Sequence, residues 1–430
     1  MKFPNALYRF IKVMIHSIAF VPATIATVFF LFSLLMVSYK FMDLTQWLDD
    51  DLHLLMVGDA NNARTILGTL VGGLLSLTVF SFSMVMVVLT RASASLTPRS
   101  IPGLVSQKQN QIFLGFCIGA IIYSLILIAG IQRVSEETVY IPKLGILFAI
   151  IFGIIALGMF VNFIHSITRS IQVDFVLESI YKSSNRLLDK KITNFEKIDK
   201  QQLDKFTDNK IVINSNRSGY FNYCNQPALA SLLKENDLTL SVVVHRGDFV
   251  PEGNPLFKIN REVKDKVIKN LLNCFAFYLG EAATEHFQFG LQQMSEIAVK
   301  ALSPGINDPG TATRAIDFLS IIMCKYAKYG GLEAATDSDN QLRVVFYEKP
   351  FQRVLYESLT SIREYGRTNA LVMSRLMTLC RTIQLSKCEK NAKESVQAFA
   401  TDIQETVKAQ SYTALDAKYF WETAETYNAI

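Results

Sequence analysis

Four apolar stretches occupy most of the first 170 residues, and a more polar chain with helix and strand patterns follows them. The stretches run over about residues 16–39, 65–90, 112–131 and 144–167. Each is long enough to cross the hydrocarbon core of a bilayer, which needs about 20 apolar residues. The pattern therefore predicts a membrane protein whose transmembrane domain, residues 1–168, contains four helices.

The second apolar stretch carries a line of small and hydroxyl side chains. These recur every fourth or every seventh residue: Gly68, Thr69, Gly72, Ser76, Ser83 and Thr90. Both spacings return to one side of a helix, and small residues four apart let another helix approach closely. Lipid gives such a face no reason to be small and polar. We therefore expect this small-residue stripe to contact either another helix or the water of a pore.

The fourth apolar stretch continues as a helical pattern beyond the membrane edge. No glycine or proline interrupts residues 163–181, which predicts a stalk helix and a charged linker over residues 169–210. Three polar side chains, His165, Arg169 and Gln172, lie on one side of this helix at headgroup depth. They could anchor the helix at the interface, or they could couple the membrane domain to the soluble one.

Beyond residue 210 the hydrophobic period changes. Residues 211–260 have strand-like runs and glycine–proline turns that predict a small β-rich module. Residues 261–430 predict a mainly helical domain, whose strand-like run LRVVFYEK could pair with the β-rich module. Residues 262–300 read as two helices. The predicted fold class is thus a four-helix α-helical transmembrane unit followed by an α+β C-terminal region.

Charges at the ends of the apolar stretches predict an orientation. Basic residues without acids precede the first stretch and follow the second, whereas Asp49–Asp51 lie between these two stretches. The positive-inside rule places the basic segments in the cytoplasm. Four crossings return the C-terminal region to the same side, so both termini and the α+β region are expected to be cytoplasmic.

The composition and the absence of known motifs argue against several classes of site and of protein. The six cysteines are scattered with no Cys-x-x-Cys pair, the five histidines suggest no metal site, and the net charge of +5 is mild. The chain has no P-loop, GxGxxG, GxSxG or HExxH motif, and its apolar stretches have no charge in their middle, which argues against a proton-coupled carrier. We therefore predict no catalytic residues, no cofactor and no nucleic-acid partner, although a membrane-bound hydrolase stays open.

One turn of the C-terminal region carries candidate chemistry. Ser303-Pro-Gly forces a turn, and Asp308 before Pro309 predicts a helix start, because an N-cap acceptor precedes a proline whose missing N–H is not needed there. Asn307 and Asp308 would then lie at an exposed helix N-terminus, which can bind an anion. Ser303, Asn307 and Asp308 are therefore candidates for a structural turn or an anion site.

Several runs, in this order along the chain, resemble a bacterial family of predicted membrane proteins known as domain of unknown function 2254. They include FSFSMVMVVLTRASASLTPRSI, LGFCIGAIIYSLILI and FVNFIHSITRSIQV, and the most specific is ALSPGINDP at Ala301–Pro309. The resemblance implies four N-terminal spans and a cytoplasmic C-terminal region in a bacterial inner (plasma) membrane. It implies no particular activity.

Two functions fit these patterns. The first is a homo-oligomeric channel or pore-like transporter with a regulatory cytoplasmic domain, in which the stripe lines the pore between charged mouths at Arg91, Arg99 and Asp49–Asp51. The alternative is a membrane-anchored cytoplasmic sensor or scaffold without transport. The expected partners are the lipid bilayer and further copies of the chain, and a small ligand of the cytoplasmic domain stays open.

Overall fold

The computed structural model describes residues 19–38, 57–95, 108–131, 140–170, 172–195, 200–206, 209–278, 286–329 and 331–429. The chain divides between Gln172 and Val173 into an N-terminal helical unit and a C-terminal unit of helices and strands. The predicted fold class, four apolar N-terminal helices followed by an α+β region, is confirmed.

In its described residues the N-terminal unit has four helices: α1 (Phe20–Val37), α2 (Ala60–Ser95), α3 (Lys108–Gly130) and α4 (Lys143–Ser170). All four are long and apolar enough to cross a membrane, judged by length and composition. They match the four apolar stretches of the sequence, although both ends of the first stretch, as predicted at 16–39, lie outside the described residues.

Glycines bring α1 and α3 close together. A Cβ atom added to Gly115 would lie 2.7 Å from the Cα of Pro22, and one added to Gly119 would lie 2.8 Å from the ring of Phe29. The GxxxG pair of the third stretch therefore packs against the first helix, as close helix packing requires small residues.

The fourth apolar helix and the predicted stalk are separate helices. α4 ends at Ser170, and the backbone N–H of Gln172 donates to the carbonyl of Arg169 at 3.1 Å. The next helix, α5 (Val173–Phe195), carries Asp174 in its first turn, where an acid favours the helix dipole. A short 3-10 helix (Lys200–Phe206) follows in the predicted charged linker.

Among the described residues of the C-terminal unit, eight strands form two sheets. They are β1 (Ile211–Asn214), β2 (Gly219–Cys224), β3 (Leu240–Val242), β4 (Phe249–Val250), β5 (Pro255–Ile259), β6 (Phe275–Tyr278), β7 (Leu332–Thr336) and β8 (Leu342–Tyr347). One sheet has the order β1-β5-β3-β8-β7 and the other β4-β2-β6. β3 and β8 are parallel, and the other pairs are antiparallel.

Strands from outside residues 211–260 complete both sheets. β8 lies in the run LRVVFYEK and pairs with β3, as the sequence suggested. The reading of residues 262–300 as two helices missed β6, which lies between them and pairs with β2. The aromatic residues Phe275 and Phe277 favour a strand, but the amphipathic helix before them dominates the pattern in this part of the chain.

Eight further helices lie in the part of this unit that the structure describes: α6 (Gln226–Glu235), α7 (Asp265–Leu272), α8 (Phe287–Ala301), α9 (Pro309–Tyr326), α10 (Phe351–Gly366), α11 (Ala370–Leu385), α12 (Lys390–Lys408) and α13 (Ala414–Asn428). The helix α5 packs against α8 and α9. The rings of Tyr181 and Phe318 stack with centroids 4.8 Å apart, and Gly290 of α8 lies directly against Ser184.

Candidate functional site

The small-residue stripe of α2 faces away from the core of the N-terminal unit. All six of its members are exposed: Gly68, Thr69, Gly72, Ser76, Ser83 and Thr90. The buried residues of the same helix lie on the opposite side, namely Ala63, Leu67, Leu74, Ser81 and Val88. The two sets therefore divide the helix into a face packed in the unit and a face open to its surroundings.

No described residue fills the space in front of the stripe. A Cβ atom added to Gly68 or Gly72 would meet nothing within 4 Å in the described parts of the chain. At Gly68 and Gly72 the described residues therefore do not pack another helix against this face, and what the stripe contacts stays a prediction. The small residues leave room for something outside the single chain.

The hydroxyl groups of the stripe are bonded within their own helix. Each donates to the carbonyl four residues earlier, at 2.8 Å for Thr69, 2.9 Å for Ser76, 3.0 Å for Ser83 and 2.9 Å for Thr90. Such bonds remove the cost of an unsatisfied donor in lipid, and the hydroxyl oxygen can still accept from water or from another chain. The stripe is chemically compatible with lipid, protein or water.

The predicted membrane-edge set is exposed. His165 and Arg169 lie near the end of α4 and Gln172 follows it, and their side chains make no ion pair or hydrogen bond with any residue that the structure describes. Of the residues predicted at the pore mouths, Arg91 lies on α2, whereas Arg99 and Asp49–Asp51 lie outside the described residues. A coupling role for the membrane-edge set stays a prediction.

The turn at Ser303–Asp308 is held by its own hydrogen bonds. Asp308 is the N-cap of α9, and its carboxylate accepts from the Thr311 N–H at 3.1 Å and from the Thr311 hydroxyl at 2.7 Å. These bonds hold the pKa of Asp308 below its ordinary value. Asn307 has a left-handed φ of 48°, and Ser303 donates to the Lys300 carbonyl. An external anion here would face the carboxylate that already caps the helix.

A cluster of buried ionisable side chains lies in the C-terminal unit, and the sequence patterns did not predict it. Its members come from distant parts of the chain: Lys191, Arg246, His286, Glu333 and Glu348. We call this set the buried ion cluster. Lys191 Nζ donates to Glu333 Oε2 at 2.5 Å and also bonds Glu348 Oε1. Arg246 Nη2 lies 2.9 Å from Glu333 Oε1, and His286 Nε2 lies 3.3 Å from Glu348 Oε2.

Four members of the cluster lie on a helix or strand or directly beside one, and Arg246 lies in the turn between β3 and β4. Lys191 lies on α5, Glu333 on β7, and Glu348 directly after β8, while His286 is the N-cap of α8. The Nδ1 atom of His286 accepts from the Gln288 N–H, so the ring proton of a neutral His286 is on Nε2, toward Glu348. The Arg246 guanidinium lies over the ring of Phe346, 5.2 Å from its centroid.

Charge balance explains how the cluster can be buried. Burial alone raises the pKa of Glu348 and Glu333, but the charges and hydrogen bonds of their partners outweigh it and hold both pKa values below the ordinary value. Burial lowers the pKa of His286, and Glu348 opposes this only in part. Two cations therefore face two carboxylates beside a neutral histidine. A buried network of this kind is weak evidence for stability but can specify one arrangement of elements.

No sequence pattern predicts that these five residues form a cluster. Lys191 and Glu348 are 157 positions apart, and each lies next to another charged residue, Lys190 and Lys349 respectively, with nothing in the local pattern to single it out. The one local indication of a buried charge is Glu333, which is a single acid in the strand-like run LEAAT. In the described residues no group of three or more His, Cys, Asp or Glu side chains could hold a metal ion.

Comparisons with known proteins cover both units. The model of a family described as predicted membrane protein (DUF2254) matches residues 15–382. An uncharacterised protein of Mycobacterium tuberculosis strain H37Rv is 23% identical over 363 residues, which cover 80% of this chain and 68% of the relative. An uncharacterised protein of Mycobacterium bovis matches with the same identity and coverage. No solved structure matches this chain.

Proposed function

We propose, from the premise that this chain belongs to the DUF2254 family of predicted membrane proteins, that it is a homo-oligomeric channel or pore-like transporter with a regulatory cytoplasmic domain. The observation that carries this proposal is the outward-facing stripe of α2, which has room in front of it and no charge along it. Copies of α2 would surround a central pore in the bacterial inner membrane.

The length of the stripe matches the membrane. From Thr69 to Thr90 the helix rises by about 32 Å at 1.5 Å per residue, close to the ~30 Å hydrocarbon thickness. Four hydroxyls at seven-residue spacing would thus offer acceptors to water through the whole depth. The glycines at the stripe's start let neighbouring copies approach closely.

The chemistry of the stripe limits what such a pore could select. Its lining would be hydroxyl and backbone dipoles without a charged ring, and apolar constrictions can gate by dewetting. Ion selectivity would then be modest and set at the mouths, by Arg91 and Arg99 on the cytoplasmic side and Asp49–Asp51 on the other. Both termini and the C-terminal unit would be cytoplasmic by the positive-inside rule.

A second function, a membrane-anchored cytoplasmic sensor or scaffold, is favoured by a different observation. Every hydroxyl of the stripe is already bonded to its own helix, so the face could contact lipid at little cost. In that case nothing would cross the bilayer, and the C-terminal unit would carry the function.

Cysteine accessibility separates the two functions. Ser76→Cys and Ser83→Cys lie on the stripe, whereas Phe82→Cys, 60% exposed in the native residue, lies about 100° away from Ser83 around the helix and is the matched control. In a channel the two stripe cysteines should react with a membrane-impermeant thiol reagent, and Phe82→Cys should not. The unsubstituted protein, whose Cys117 is buried, is the blank.

Measurements of ion flux and of the mass of the assembly also separate the channel from the anchored sensor. In liposomes Ser76→Leu and Ser83→Leu should reduce flux at least severalfold while the assembly keeps its mass in native membranes. A monomeric mass together with unreactive cysteines at both stripe positions would contradict the channel and support the anchored sensor.

A further inference from the structure

A cavity of about 520 Å³ lies in the C-terminal unit beside the buried ion cluster. Arg246 and His286 of the cluster line one side, and helix α10 lines another with Ser358 and Thr360. Lys349, from the segment between β8 and α10, also lines it. Its volume is in the range of small-molecule sites, about 300–1,000 Å³.

The hydroxyls on the α10 side have no partner in the described part of the chain. Thr360 Oγ1 is buried and makes no hydrogen bond, and Ser358, whose exposed fraction is 4%, makes none that the structure describes. Helical hydroxyls elsewhere in this unit behave differently: Thr378 and Thr382 of α11 donate to the carbonyl four residues earlier, at 2.9 and 2.8 Å. A buried hydroxyl without a partner is unfavourable, so a hydrogen-bond partner inside the cavity would be favourable.

Two carboxylates share the cavity-lining cation Lys349, and one of them has a second partner. Lys349 Nζ lies 3.0 Å from Asp248 Oδ1 and 3.2 Å from Glu357 Oε2. The Glu357 side chain is 42% exposed and is also held by Arg353 at 2.7 Å. An anion in the cavity could therefore replace Glu357 at Lys349 while Glu357 keeps its bond to Arg353.

The hydrogen-bond donors and acceptors that line the cavity also favour an anionic ligand. Lysine and arginine are donors only, and hydroxyls can donate. The helix α8 begins at His286, and a helix N-terminus favours negative charge. Glu357 is the acceptor-only side chain among the cavity-lining residues. A molecule that fits this lining carries acceptor oxygens and a negative charge.

We propose that this cavity binds a small phosphate- or carboxylate-bearing molecule, held by Lys349 and by the hydroxyls of Ser358 and Thr360, with Glu357 as the internal competitor. The proposal rests on the regulatory part of the proposed function, because it names the class of ligand that the C-terminal unit would sense. Binding is measured without ion flux, so a failure of the channel proposal would leave this one standing, and the reverse.

Titration calorimetry on the full-length protein in detergent tests the site. The probes are inorganic phosphate, glycerol phosphate and succinate, each at constant ionic strength against a chloride control. We expect saturable binding of at least one probe, and the phosphate and carboxylate arms identify which group is recognised. Saturable binding of none of the three beyond the chloride control would overturn the proposal.

Two opposite variants locate the binding. Lys349→Gln should lower the affinity for the bound probe at least tenfold. Glu357→Gln should strengthen it at least threefold, because the competing carboxylate is gone, and a merely structural role for Glu357 does not predict a gain. Glu364→Gln is the matched control, since Glu364 lies on the same helix and pairs with Arg367 without lining the cavity. Equal effects of Glu357→Gln and Glu364→Gln would overturn the proposal even if Lys349→Gln fails to fold.

Discussion

In the buried ion cluster, His286 and Glu348 respond to acid in the same direction for different reasons. Burial lowers the pKa of His286, so the unfolded chain takes up this proton first, as the pH falls through about 6.5. The partners of Glu348 hold its pKa well below the ordinary value, so the unfolded chain again binds the proton first, below about pH 4.3. By linkage, both groups make the folded unit less stable on acidification.

Because acid destabilises the folded state through both groups, we predict a pH-dependent loss of stability in the C-terminal unit. Between pH 7.5 and 5.5, the slowest amides of β8 should lose hydrogen-exchange protection by up to about tenfold per pH unit below 6.5, after correction for intrinsic exchange. His286→Gln should remove this step, because a glutamine side chain does not titrate in this pH range. His165→Gln, at an exposed histidine of the N-terminal unit, is the control. An unchanged loss of protection in His286→Gln would contradict the assignment.

At the residue scale the sequence predicted caps better than clusters. Asp308 before Pro309 could be read as a helix start because its partners are the next few residues, and α9 begins there. The buried ion cluster is made by residues from five separate parts of the chain, which meet only in the folded unit. His286, to which no sequence pattern assigned a role, lies at the start of α8 with 2% of its surface exposed. No local pattern contains that information.

At the scale of elements, the contact between α5 and α8 depends on a glycine. A Cβ atom at Gly290 would overlap the side chain of Ser184. We expect Gly290→Ala to destabilise the protein by about 1–3 kcal/mol through overpacking, despite the better helix propensity of alanine. Gly305→Ala, where an added Cβ meets nothing within 4 Å, should stay within about 0.5 kcal/mol.

A second-site change identifies the cause. Thermal unfolding of the full-length protein in detergent measures each variant, and Ser184→Gly should restore much of the stability that Gly290→Ala loses. If Gly290→Ala and Gly305→Ala unfold alike, the close approach of these two helices is not the constraint that the structure indicates.

Periodicity predicted long elements well and short ones poorly. The four apolar helices and the strand LRVVFYEK were found because each has a strong pattern over many residues. β6 has four residues, Phe275–Tyr278, too few to outweigh the helices around it. The outward face of α2 is a different case, since the sequence predicted a special face but could not say whether the same chain covers it.

At the scale of the molecule, sequence order does not give the arrangement of the larger sheet. The parallel pairing of β3 with β8 places Leu240 opposite Val344, so the strand partner lies far along the chain. The strands of residues 211–260 therefore do not form a sheet by themselves, because they belong to two sheets that strands from later in the chain complete. Variants in β8 should consequently affect the earlier strands as well.

The orientation in the membrane is a property of the whole chain, and charge bias is what predicts it. Reporter fusions after Asp51 and after Glu137 should be active as alkaline phosphatase and dark as green fluorescent protein, since these loops follow an odd number of crossings. Fusions after Ser100 and after Arg186 should show the reverse. Each site is tested with both reporters, so expression is controlled at every position. A cytoplasmic signal after Asp51 would reverse the orientation, and with it the assignment of Asp49–Asp51 and Arg91 to opposite mouths of the proposed pore.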